Sequence, residues 1–210
     1  SFNPFILWYG SEARMYTLLL LVSLLNHYFF VSILRKQKGW IGYLLTAMVG
    51  LYTHYFFIFT LFAQAVFFIS HRRFFPRRAL LRLTGVASIL LLWFVPWLWY
   101  VASLAGGSQT SPLLPRHTTI DFFSVYTQFL FGFQPNQLSA IVLSAWPFVV
   151  LVAFFAVRRQ IRRSSMLAYL LFAAFVPAVA AYILSLTVRP FFLSRYMIAI
   201  AAPFLVVLVW

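Results

Sequence analysis

Long apolar runs broken by short charged punctuation set the pattern of this chain. A bilayer core about 30 Å thick is crossed by roughly 20 apolar residues in an α-helix. Four runs meet that length: Met15 to Leu34, Leu83 to Val101, Leu138 to Val157 and Met166 to Leu186. A fifth, Met197 to Trp210, is cut off where the sequence stops. The stretch from Trp40 to Ser70 is apolar too, and at ~1.5 Å per residue it would form a helix of about 46 Å, too long for one untilted span and short for two. It reads either as a hairpin of two short helices turning near "YTHY", residues 52 to 55, or as one tilted helix. The expected fold is all-α, a polytopic transmembrane bundle of about six to seven membrane helices in one domain over residues 1–210.

The charges bear on the choice. Arg35, Lys36 and Lys38 form one cluster; Arg72, Arg73, Arg77, Arg78 and Arg82 a second; Arg158, Arg159, Arg162 and Arg163 a third. Basic residues favour the cytoplasmic side, so an even number of crossings should separate each pair of clusters. Leu83 to Val101 followed by Leu138 to Val157 satisfies this for the second and third. For the first and second it favours the hairpin. Every remaining charged residue then falls on the other face: Glu12, Arg14, Arg116, Asp121, Arg189 and Arg195, joined by His54 and His117. Charge at an apolar boundary is costly, and a set gathered on one face marks a candidate site, although loops also collect charge for no other reason than solvation.

Composition agrees with the pattern. Sixty-four per cent of residues are hydrophobic and 21% aromatic, with sixteen basic residues against two acidic ones. A nucleic-acid module would lay its basic patch on a wettable surface, and these charges instead punctuate apolar runs. No nucleic-acid partner is expected; membrane lipids are. There is no cysteine, hence no disulfide framework and no thiolate metal site. The first residue is Ser1 and the last lies inside an apolar run, which reads as a fragment truncated at both ends. The one long polar loop, Ala102 to Thr119, precedes "TIDFFSVYTQFLFGF", residues 119 to 133, whose aromatic residues suit an interfacial helix or an aromatic belt.

Few side chains are candidates for chemistry. Glu12 and Arg14 open the first span two residues apart, so on a helix they point in different directions and each needs its own partner. An acid in a first turn capped by Ser11, and an arginine reaching for headgroups, explain them structurally. Arg189 and Arg195 flank the start of the last run in "TVRPFFLSRYMIAIAAPF". The guanidinium fork suits phosphate, so this pair can hold a lipid-linked phosphate or pyrophosphate, or anchor the helix. His54, at the hairpin turn, can bond a sugar or a phosphate, or simply mark a helix break. His27, beside Asn26 within a span, reads as a packed polar residue, and His71 as solvated. No zinc spacing, phosphate loop or serine elbow occurs.

Taken together, "NPFILWYGSEARMYTLL", "LYTHYFFIFTLFAQ" and "FFLSRYMIAIAAPF" resemble the bacterial integral-membrane glycosyltransferases of family 39 type, relatives of the protein mannosyltransferases in the GT-C superfamily. The matching positions are Pro4, Glu12, Arg14, Tyr16, Thr53, His54, Tyr55, Arg195, Tyr196 and Pro203. The resemblance implies a multi-pass protein of the bacterial inner membrane. It implies transfer of a sugar from a polyprenyl-phosphate donor to a lipid, glycan or protein acceptor on the outer face. Substrate binding then falls to Glu12, Arg14, Tyr16, His54, Arg189, Arg195 and Tyr196. The family's catalytic acid lies in the first external loop, upstream of Ser1, so no catalytic residue is assigned within the chain. Some relatives use a divalent metal, though no cofactor site is evident in the sequence. The reading from another class is a transporter or flippase of a lipid-linked anion, which needs polar or broken helices at mid-membrane. A non-catalytic membrane subunit is a third.

Overall fold

A computed structural model describes residues 15–72, 75–105, 118–132, 164–187 and 190–209. These residues form seven α-helices and one 3-10 stretch, with no strand among them. We label them α1 (Tyr16–Lys36), α2 (Trp40–Thr53), α3 (Phe57–Ser70), α4 (Arg77–Ala105), α5 (Thr119–Phe131) and α6 (Ser165–Thr187). The 3-10 stretch (Ser194–Ile200) then runs directly into α7 (Ala201–Val209). Three helices, α1, α4 and α6, are long and apolar enough to cross a membrane. The expected span Leu138 to Val157, the third basic cluster and the loop residues Arg116 and His117 lie outside the described residues.

The distribution of polarity is the reverse of that in a water-soluble domain. Leu81, Leu92, Trp99 and Ile41 are more than 70% exposed, whereas Ser23, Asn26 and Gln64 are wholly buried. So much exposed apolar surface would be unstable in water and is ordinary against lipid chains. Two hydrophobic clusters fill the interior. One gathers Tyr16, Leu51, Phe57 and Tyr126 around Met197–Ala201, and the other gathers Phe30, Tyr43, Phe67, Phe68 and Tyr169.

The stretch Trp40 to Ser70 is a hairpin. Helix α2 ends at Thr53, His54 adopts an extended conformation (φ −158°, ψ 120°), and α3 starts at Phe57. The Tyr43 hydroxyl donates to Gln64 Oε1 at 2.9 Å. Those residues stand at comparable distances either side of the turn, so the arms run antiparallel. A single tilted helix is excluded. Fourteen residues per arm span only about 21 Å each. The connection from α1 to α2 is equally tight. Gln37 (φ 53°) and Gly39 (φ 94°) both take left-handed backbone, where glycine costs least, and Arg35 and Lys36 sit in the last turn of α1, favourably placed in the field of its carbonyl end. Since α1 starts at Tyr16 and the hairpin returns at Ser70, the clusters at residues 35–38 and 72–82 share one end of the bundle, and Tyr16 and His54 share the other.

Prolines inside helices leave carbonyls without their usual N–H partner. Hydroxyl groups from other helices approach each break. Pro203 cannot donate to Ala199, four residues back, and Ser23 Oγ donates to the Ala199 carbonyl at 2.8 Å. Beside Pro177 in α6, the Tyr126 hydroxyl donates to the Ala174 carbonyl at 3.1 Å. Beside Pro96 in α4, the Tyr52 hydroxyl donates to the Trp93 carbonyl at 3.3 Å. The Ser23 bond replaces the partner that Pro203 cannot supply, and the other two lie one residue from the carbonyls that Pro177 and Pro96 leave, Ala173 and Leu92.

Two readings of the sequence change in detail. The aromatic face of α5 is turned inward, with Tyr126 and Phe129 buried against Phe204 and Phe175, so only Ile120 and Phe131 remain broadly exposed for lipid. Phenylalanine and tyrosine pack wherever a neighbouring helix offers apolar surface, and the sequence does not show which neighbour. His71 is half-buried rather than solvated: its Nδ1 lies 3.0 Å from the Phe67 carbonyl and its ring stacks on Phe67. That ring finishes α3 by bonding one of its terminal carbonyls.

The hairpin depends on close approach at Gly50, where an added Cβ would stand 2.5 Å from the buried ring of Phe57. Gly50→Ala is expected to destabilise the folded protein by about 1–3 kcal/mol, because a core ring must move. At Gly85, on the exposed face of α4, nothing lies within 4 Å. There Ala should stabilise by about 0.5–1 kcal/mol through helix propensity alone. Unfolding midpoints of the two variants in mild detergent provide the comparison.

Candidate functional site

Three separated stretches of the sequence meet at the end of the bundle opposite the described basic clusters. Tyr16 begins α1, His54 forms the turn between α2 and α3, and Arg195 and Tyr196 open the 3-10 stretch. The His54 ring centroid is 6.3 Å from that of Tyr16 and 5.1 Å from that of Tyr196. Phe56 stacks on Tyr196 at 5.0 Å and touches Phe191, so the turn and the segment entering the 3-10 stretch share one aromatic cluster. The Arg195 guanidinium lies 5.3 Å from the centre of the Tyr196 ring, within cation–π range. It brings the positive charge to the group.

Local bonds explain why these side chains stay in place. His54 interrupts the helix, and its Nδ1 accepts the backbone N–H of Phe56 at 3.2 Å while its carbonyl accepts that of Phe57 at 2.9 Å. A backbone N–H only donates, so Nδ1 is unprotonated and the neutral ring carries its proton on Nε2. Half of the imidazole thus caps the turn. The other half is a hydrogen-bond donor. On the opposing segment, Ser185 Oγ accepts the N–H groups of Phe191 and Phe192 at 2.9 and 3.1 Å, fixing the chain that leads to Arg195. The seven-residue 3-10 stretch is long for that geometry and touches α1, α3, α5, α6 and α7. Its inner residues, Met197 to Ile200, are buried, while Ser194 to Tyr196 are half-buried.

Burial also sets protonation. His54 is 4% exposed, and loss of water holds its pKa down from 6.5 to about 4, so the ring is neutral at physiological pH. Tyr55 is raised above its ordinary value, first by burial and then by the neighbouring hydroxyls of Tyr196 and Tyr16. Tyr55 is therefore kept as a neutral phenol near the side chains of Tyr16 and Tyr196, with the Arg195 cation beside Tyr196. A ligand suited to that arrangement is an anion with several acceptor oxygens, with rings available to pack against a sugar or a lipid chain.

Of the residues expected from the sequence, Tyr16, His54, Arg195 and Tyr196 come together; Glu12, Arg14 and Arg189 lie outside the described residues. Thr53 points elsewhere, its hydroxyl donating back to the Val49 carbonyl at 2.7 Å. Asp121 closes a capping box on α5, its carboxylate accepting from the N–H and hydroxyl of Thr118. Among the described residues, no three potential metal ligands stand together. Tyr55, Phe56 and Ser185 were not singled out as site residues; a buried serine six residues before its partners has no local signature. Comparison with protein-family models, curated proteins and solved structures gave no match.

Because His54 is held neutral, it binds a proton less readily in the folded protein than in the unfolded chain. Stability is then full above pH 6.5 and falls as pH drops from 6.5 towards 4, the window in which only the unfolded chain is protonated. His54→Asn keeps a side-chain acceptor for the turn and removes the titration. Thermal unfolding between pH 7.5 and 4.5 should therefore show a smaller acid-induced loss for this variant than for the parent; equal losses would assign the acid sensitivity elsewhere.

Proposed function

We propose that this protein is a membrane glycosyltransferase that moves a sugar from a polyprenyl-phosphate donor to an acceptor at the outer face of the bacterial inner membrane. One observation carries the reading: the three motif-bearing stretches, far apart in sequence, supply Tyr16, His54, Tyr196 and Arg195 to one cluster. Arg35, Lys36, Lys38, Arg72, Arg77, Arg78 and Arg82 lie toward the other end of the bundle, and the positive-inside preference supports an external position for this group.

In this account Arg195 and the Nε2–H of His54 hold the donor's phosphate, and the phenols of Tyr16, Tyr55 and Tyr196 bond its remaining oxygens or the sugar. An acceptor hydroxyl attacks the anomeric carbon, the bond from that carbon to the phosphate oxygen breaks, and polyprenyl phosphate leaves. The acceptor's proton passes to a general base. Negative charge on the phosphate grows through this step, so a fixed guanidinium and fixed N–H donor stabilise the transition state more than the bound donor. Being neutral, His54 contributes its N–H without demanding a counter-ion.

Transport of a lipid-linked anion is the competing reading. It draws on buried polar side chains at mid-depth, Asn26, Gln64 and Tyr169, but these carry no charge and bond one another.

Arg195→Ala removes a charge-assisted bond to phosphate, worth roughly 1.5–3 kcal/mol, or about ten- to a hundredfold in rate. With varied polyprenyl-phosphate sugar and the intact protein in vesicles, turnover should fall by at least that factor, with a smaller change in apparent donor affinity. Intact turnover, with only acceptor affinity altered, would remove Arg195 from the donor site.

A further inference from the structure

A second polar group lies deep in the bundle. Asn26 stands ten residues into α1 beyond Tyr16, and Gln64 seven residues into α3 beyond Phe57, distances of about 15 Å and 10 Å along the helices. Both are wholly buried. The Gln64 amide uses both ends: Oε1 accepts from the Tyr43 hydroxyl at 2.9 Å, while Nε2 donates to Asn26 Oδ1 at 2.8 Å and reaches the Tyr169 oxygen at 3.3 Å. Asn26 Nδ2 donates in turn to Thr46 Oγ1 at 3.1 Å. The Tyr169 oxygen, having accepted from Gln64, is free to donate its own proton to His27 Nδ1 at 2.6 Å. One connected chain of bonds thus joins α1, α2, α3 and α6.

We infer that this network is a positioning device, with Gln64 at its centre, that sets the rotation and height of the hairpin against α1 and α6 and so seats His54 between Tyr16 and Tyr196. Apolar packing alone does not set that register sharply. Around the network, Phe30, Phe67 and Phe68 present faces little different in polarity from lipid chains, so helices packed by them gain little from one rotation over another. Hydrogen bonds are directional. Sliding α3 by one residue shifts it ~1.5 Å and turns it about 100°, which breaks every bond Gln64 makes at once. Between Gln64 and the turn, α3 carries the small buried residues Ala63 and Thr60 and then Phe57, packed under Gly50. A rotation permitted at Gln64 is therefore passed to His54. The consequence for sugar transfer rests on the function proposed above; the positioning itself does not.

The absence of native cysteine allows a direct test. Cysteines replacing Leu18 and Ile58, both on exposed faces near the Tyr16 and His54 ends, carry nitroxide labels in the protein reconstituted in phosphatidylcholine vesicles. Pulsed electron resonance then reads the distance between α1 and the hairpin arm. The parent should give one narrow distribution. Gln64→Leu should widen it or shift its mean by ~1.5 Å or more, the rise of one helical residue. Tyr169→Phe, which keeps the ring and loses only the hydroxyl, should widen it less. A distribution unchanged in both variants overturns the proposal, even if thermal stability falls, because a merely stabilising network would lower stability and leave the geometry alone. If Gln64→Leu does not accumulate, Tyr169→Phe decides by the same criterion. Loss of the narrow distribution in a protein with no transferase activity would retire the transferase reading and leave the positioning role standing.

Discussion

In an apolar surrounding, each polar group that cannot reach water must find its partner inside the protein, and this requirement organises the structure. Helices satisfy most of it through their own backbones. The exceptions are the informative places. At Pro96, Pro177 and Pro203 the helical ladder is interrupted, and Tyr52, Tyr126 and Ser23 each send a hydroxyl across to a nearby carbonyl. Those cross-links tie α2 to α4, α5 to α6 and α1 to the 3-10 stretch.

The same requirement shapes both polar groups of the interior. Deep in the bundle, Asn26, Gln64, Tyr43 and Tyr169 bond one another, with Thr46 and His27 at the ends of the chain. At the end of the bundle His54 caps its own turn with Nδ1 and carries its proton on Nε2, with the rings of Tyr16, Tyr55 and Tyr196 close by and Arg195 beside Tyr196. About 10 Å of apolar helix separates Gln64 from the turn.

Much of this was legible in the chain. The three long apolar helices followed from run length, and the hairpin from run length combined with the positions of Lys36 and Arg72. The grouping of Tyr16, His54, Arg195 and Tyr196 was an expectation from motif resemblance, and the structure brings their side chains together. Other features were hidden because they are tertiary. Gln64 and Asn26 carry no charge and sit alone in apolar runs, so nothing local announces that they meet. Ser185 is one serine in a hydrophobic helix. The inward turn of the α5 aromatics depends on which helix lies beside them. Local pattern gives an element and its buried stripe; partner choice is decided by interactions between residues 17 to 176 positions apart.

The central claim is that lipid-linked phosphate is held at the His54–Tyr196 end and not by the basic clusters at the other end. A polyprenyl phosphate bearing a diazirine beside its phosphate can be incorporated with the protein into vesicles, irradiated, and its adducts mapped by peptide mass spectrometry. Adducts at residues 54–56 and 191–196, competed by unmodified polyprenyl phosphate, are the predicted result. Adducts confined to residues 35–38 and 72–82, where any anionic lipid would be drawn by charge alone, would contradict the account.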